Sequence, residues 1–111
     1  MTIPETDSSK RHPRILVPAE IPAYERGGGA RTTPLVTRNI GATGFINGIT
    51  IFSPGASIPV HTHNCDESVV ILQGLAIAEI DGVSYNLDEG TATFIQPELH
   101  IVFSMAHRRK S

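Results

Sequence analysis

Nowhere in its 111 residues does this chain place apolar side chains at i, i+3, i+4 and i+7 over the three turns that a stable amphipathic helix needs. What recurs instead are short runs rich in Val, Ile, Phe and Thr, separated by Gly, Pro, Asn and Asp. They are Ile15 to Val17, Leu35 to Thr37, Phe45 to Phe52, Ile58 to His63, Ser68 to Leu72, Leu75 to Ile80, Val83 to Asn86, Thr91 to Ile95 and His100 to Met105. Runs of this length read as strands, and many strands at this spacing read as an all-β sandwich or barrel. Asp81-Gly82 lies between two of them and predicts a two-residue hairpin, because a type I′ turn needs φ > 0 at both central positions. Gly27-Gly28-Gly29 reads as a flexible loop, since a phosphate cradle would require a helix after it and none is predicted.

At 11.9 kDa one domain is the limit. The polar residues 1–13 read as a disordered arm, 14–107 as the single barrel domain and 108–111 as a basic tail. The single cysteine, Cys65, permits no internal disulfide and makes a reduced compartment the default; the N-terminal residues hold no apolar signal-peptide core, so a cytoplasmic location is expected. Residues 39–65 carry no charge, but Asn, Thr, Ser, Pro, Gly and His interrupt them throughout, and no membrane span is expected.

The overall charge of −2 hides an asymmetry. Residues 1–38 hold six basic side chains against four acidic ones; residues 39–107 hold seven acids and no Lys or Arg; Arg108, Arg109 and Lys110 close the chain. An acidic body repels a phosphate backbone, so nucleic acid is not an expected partner. It also lacks the guanidinium fork that clamps a phosphate or a second carboxylate, so the expected ligand is a neutral or monoanionic small molecule, with Arg26, Arg31 and Arg38 of the N-terminal segment as the candidates for any further compensation. Phe45, Ile51, Val69, Ile71, Phe94 and Val102 are the candidate pocket walls, subject to one register step.

The chemistry concentrates between Gly55 and Gly74. In a strand, residues two apart share a face, so His61 and His63 present two imidazoles side by side. After the turn-forming Asn64-Cys65-Asp66, Glu67 opens the next run and can face the same way. Two nitrogens and a carboxylate on one interior surface form a donor set that divalent transition metals favour. A single buried His is more often a hydrogen-bonded core residue, but several polar groups buried together without a metal would demand as many separate sets of partners. Cys65, out of register with the two histidines, reads as a turn residue, with recruitment by a soft metal as the alternative.

The spacing Gly55, five residues, His61-x-His63, three residues, Glu67, six residues, Gly74 resembles the first motif of the cupin superfamily at every fixed position. The stretch from Gly90 through Pro97 and His100 to Ser104 resembles the second motif, with departures: Thr91 follows Gly90 in place of Asp, the Gly before the His is missing, the interval from Gly90 to His100 is one residue short, and Ser104 stands where the family prefers Asn. The resemblance, over about Phe45 to Ser104, implies a double-stranded β-helix barrel holding one divalent metal per chain on His61, His63, Glu67 and His100. Fe2+ or Mn2+ suit that mixed ligation best, and Ni2+, Cu2+ or Zn2+ would also bind. The family commonly continues past its second motif, whereas seven residues follow Ser104 here; the runs at Ile15 to Val17 and Leu35 to Thr37 are expected to supply sheet edges, within the chain or swapped into a neighbour in a homodimer. The function this implies is a small metal-dependent enzyme on an oxygenated organic metabolite, of dioxygenase type first and isomerase or lyase type second. The alternatives are a non-catalytic binding or sensor module with a structural or ligand-anchoring metal, and a degenerate cupin.

Overall fold

A computed structural model of the chain describes residues 12–105, so most of the expected N-terminal arm and the whole basic tail lie outside the described residues. After a 3-10 turn at Pro18–Glu20 come β1 (Tyr24–Gly27) and β2 (Ala30–Pro34), then a second 3-10 turn at Arg38–Ile40. The strands β3 (Gly48–Phe52), β4 (Ser57–His61), β5 (Ala76–Ile80), β6 (Val83–Leu87) and β7 (Ile101–Met105) follow. They form two antiparallel sheets, one in the order β1-β2-β3 and one in the order β4-β7-β5-β6. The all-β expectation is met, and among the described residues no helix is long and apolar enough to cross a membrane.

The N-terminal strands differ from expectation. Ile15 to Val17 forms no strand, and Ile15 is exposed; Leu35 to Thr37 lies just beyond β2. The sheet is extended instead by β1 and β2, polar sequences without an apolar run, and β2 pairs with β3 of the same chain from Ala30↔Phe52 to Pro34↔Gly48. Nor is the triple glycine merely a loose loop. It closes the β1–β2 hairpin and docks on the second sheet, where Ser57 N–H donates to Gly28 C=O at 3.3 Å. Asp81 (φ 48°) and Gly82 (φ 84°) form the expected two-residue turn between the paired Ile80 and Val83.

The core lies on the inner face of the β4-β7-β5-β6 sheet. Ile71, Ala76, Ala78, Leu87, Ile95, Ile101 and Phe103 are buried together, and Phe52 and Val69 pack against them. Residues 67–71 and 91–95 run antiparallel as a short ribbon, bridged at Glu67↔Ile95 and Val70↔Ala92. Along it the odd-numbered Glu67, Val69, Ile71, Thr93 and Ile95 are covered while Val70, Leu72 and Phe94 stand exposed. Of the six sequence-based wall residues only Val69 and Ile71 face inward. Phe45, Ile51 and Phe94 are exposed, and Val102, between the buried Ile101 and Phe103 and opposite the exposed Glu79, lies on the outer face; the inward positions belong to Phe52, Ile95, Ile101 and Phe103, one register step from Ile51, Phe94 and Val102. A one-residue shift exchanges the two faces of a strand, so apolar content alone could not choose between them.

Gly28 has φ +63°, and a Cβ there would meet the Ser57 carbonyl oxygen at 2.5 Å, whereas Gly44 has open space around it. Gly28→Val should destabilise the fold by about 2 kcal/mol or more, lowering the melting temperature by roughly 8 °C or more, and Gly44→Ala should stay within about 0.5 kcal/mol of the native chain in the same thermal denaturation.

Candidate metal centre

His61 owes its position to an irregularity in β4. Ile58 pairs with Phe103 and His61 with Ile101, so three steps on β4 match two on β7, and the extra residue is a bulge at Pro59–Val60. Directly paired residues share a face, and Phe103 and Ile101 are both buried. Ile58 and His61 consequently both turn inward although they are an odd number of residues apart. Proline fits at this point because β4 is an edge strand and a bulge needs no ladder donor. The bulge also fixes the ring. His61 Nδ1 lies 2.9 Å from Pro59 C=O, and since a carbonyl only accepts, Nδ1 must carry the hydrogen and Nε2 the free lone pair. Backbone carbonyls orient metal-bound imidazoles in this way.

His63 follows just past the end of β4, its ring edge-on to that of His61 with centroids 4.9 Å apart and planes at 88°. The chain turns through the exposed Cys65 and returns at Glu67, which exchanges both backbone hydrogen bonds with the fully buried Ile95, at 2.9 and 2.8 Å. That pairing seats Glu67 in the inward register. The turn is anchored by Glu98 N–H donating to His63 C=O at 2.8 Å.

The three side chains converge: one donor atom from each of His61, His63 and Glu67 lies within 4.8 Å of the others. His63 Nε2 is 2.9 Å from Glu67 Oε2, yet the contact is not aligned as a hydrogen bond, and both His63 Nε2 and Glu67 Oε1 are buried without any hydrogen-bond partner. Orphaned buried polar atoms are costly, and a cation held between these side chains would satisfy both at once. The donor set therefore fits a divalent transition metal: two imidazoles and one carboxylate, which leave a +1 centre with open coordination positions.

The structure does not bring His100 into this group. Its backbone N–H donates to Asp81 Oδ1 at 2.8 Å and its Nδ1 stands 3.5 Å from the same oxygen, with the two side chains 69% and 51% exposed. Ile101, the next residue, is buried, so His100 belongs to the opposite face at the start of β7. The shortened interval from Gly90 to His100 agrees with this, because losing one residue turns the strand over. Glu98, two residues earlier, has φ 71°, the left-handed conformation that glycine adopts most easily. Among the described residues no fourth His, Cys, Asp or Glu joins the group; Cys65 stays outside it. The sequence reading missed Pro59 as the group that orients His61, although a proline inside a strand is a signal for a bulge.

With this geometry in hand, comparison with known proteins gives a consistent fold. No protein-family profile matches the chain. It is 31% identical over 102 residues to the polyketide synthase CurC of Streptomyces cyaneus, an alignment covering 89% of this chain and 61% of that protein, so the chain spans about three fifths of its relative's length. Among solved structures it is similar to KdgF from Halomonas sp. (TM-score 0.74, 14% identity, 87% of this chain and 86% of that one). It is also similar to an RmlC-like cupin from Shewanella frigidimarina (0.68, 18%, 86% and 83%) and to the polyketide cyclase RemF from Streptomyces resistomycificus (0.68, 20%, 89% and 83%). The chain is a small protein of the cupin fold.

Elemental analysis after metal loading should find one ion per chain in the native protein. His63→Ala and Glu67→Ala should each weaken binding at least tenfold, whereas His100→Ala should retain the full metal content; loss of metal in His100→Ala would place that residue in the ligand set after all.

Proposed function

We propose that this chain is a metal-dependent cupin enzyme acting on a small oxygenated molecule of polyketide type, promoting ring closure or isomerisation of a neutral or singly charged substrate. The observation that carries the reading is the convergence of His61, His63 and Glu67 with two of their buried donor atoms unpartnered. A divalent ion held there supplies a Lewis-acidic +1 centre suited to two neighbouring oxygens, as in a 1,3-dicarbonyl or its enolate. The chain's own residues supply the rest: His61 is locked in one tautomer by Pro59, Glu67 carries the single negative charge, and Val69, Ile71 and Phe52 present apolar side chains toward the interior. Polyketide chemistry is favoured over the other cupin chemistries by the similarity to a polyketide synthase protein and to a polyketide cyclase.

Dioxygenase chemistry is the second reading, and the ligand set favours it, because two histidines and one carboxylate with open positions are the donors of many non-haem Fe(II) oxygenases. Both readings are separated by one assay on protein loaded in turn with Zn2+, Mn2+ and, without air, Fe2+. Aromatic triketides and diketones are added while product formation and dissolved oxygen are followed. Conversion without oxygen uptake, at least a hundredfold slower in Glu67→Ala, is expected. Stoichiometric oxygen uptake with Fe2+ alone would establish the oxygenase, and binding without turnover in every case would leave a ligand-binding module.

A further inference from the structure

Three arginines of the N-terminal segment were candidates to meet a ligand's charge, and the fold separates them. Arg31 is on β2 between the inward-facing Ala30 and Thr32, so it points outward, where it pairs loosely with Glu25 at 4.0 Å. Arg38 sits in the second 3-10 turn, beside a shallow open depression lined by Gly41, Ala42 and Thr43 that contains none of the metal-binding candidates. Arg26 alone reaches the inner face of its sheet. It occupies the irregular position in β1 between Glu25↔Arg31 and Gly27↔Ala30, and its Nη1 donates to Thr32 Oγ1 at 3.0 Å. Thr32 is 7% exposed, and its hydroxyl is linked to that of Thr50, directly opposite on β3, at 2.8 Å.

This row, Arg26–Thr32–Thr50, shares its face with Ala30 and Phe52, and Phe52 packs against the core of the other sheet. Thr50 lies two residues, roughly 7 Å, along β3 from Phe52; on the other sheet the bulge makes His61 the equivalent of two ladder steps, again roughly 7 Å, along β4 from Ile58. Because β3 and β4 are joined by the short turn at Ser53–Ala56, both rows lead away from the same end of the molecule on inward faces. The guanidinium has five N–H donors, one of them used on Thr32, and no ion pair joins Arg26 to a carboxylate among the described residues. Beside it on the edge strand, Tyr24 is paired with Thr32 and is half exposed, so the row opens to solvent at β1.

We propose that Arg26, braced by Thr32 and Thr50, is a specificity-determining residue that binds the carboxylate or enolate end of a monoanionic ligand whose oxygenated end lies toward His61, His63 and Glu67. The proposal rests on the metal-dependent reading for that second end, but the charge preference that remains in metal-free protein belongs to Arg26. A planar guanidinium fork fixed by a hydroxyl matches a carboxylate with two parallel hydrogen bonds. One such fork accommodates one negative charge and leaves a dianion uncompensated.

Calorimetric titration with 2-naphthoate and with the neutral 2-naphthamide tests this, in metal-loaded and in chelator-treated protein. The native chain should prefer the carboxylate at least tenfold in both forms. In the chelator-treated protein Arg26→Gln should abolish the preference while leaving the amide affinity and the melting temperature unchanged, with metal uptake on loading also unchanged; Arg26→Lys should keep part of the preference, and Arg31→Gln should keep all of it. Equal binding of the two probes by the native chain, failure to bind the carboxylate at all, or an equal loss in Arg31→Gln would overturn the proposal. If the native chain takes up no metal on loading and still shows the preference, the metal reading fails and the role of Arg26 stands.

Discussion

One extra residue in β4 sets the geometry on which the rest of the centre depends. Without the bulge at Pro59–Val60, the strand that buries Ile58 against Phe103 would turn His61 to solvent, and the imidazoles of His61 and His63 would leave the interior together. With it, the apolar packing of β4 on β7 and the inward projection of His61 coexist. The residue that the bulge accommodates, Pro59, supplies the carbonyl that fixes the His61 tautomer. The cost of the defect is small, since β4 is an edge strand and loses no partner on its free side.

The second requirement is the ribbon formed by residues 67–71 and 91–95. Its two backbone hydrogen bonds at Glu67 and Ile95 place a carboxylate where a core residue would otherwise sit, beside Val69 and Ile71 in the same alternation. Burying an ionised side chain is unfavourable unless it is matched by opposite charge. Neither imidazole needs a proton to serve as a metal ligand, so a cation is the group that would satisfy Glu67 and the unpartnered His63 Nε2 at once.

Much of this was legible in the sequence, for identifiable reasons. The turn at Asp81-Gly82 and the strands around it follow from local chemistry, and the His61, His63, Glu67 spacing survives because all three residues are tied to one strand, one turn and one bridge. What could not be read depends on distant pairings. β1 and β2 are polar strands stabilised by β3, so no apolar pattern marks them, and the outward exposure of Ile51 and Phe94 is a register choice made by their neighbours. His100 is the instructive case. The family resemblance pointed to it as a ligand, while the shortened interval before it already contained the reason that it pairs with Asp81 at the surface. Arg26 was one of three equivalent arginines until the irregularity in β1 turned it toward Thr32.

Anomalous diffraction from a crystal of zinc-loaded protein tests the central claim most directly, because it locates the ion without reference to activity. The account predicts one strong peak within about 2.3 Å of His61 Nε2, His63 Nε2 and a Glu67 carboxylate oxygen, with His100 still against Asp81. A peak at the Asp81–His100 pair, a site that draws His100 in among the ligands, or no ordered ion at all would contradict it.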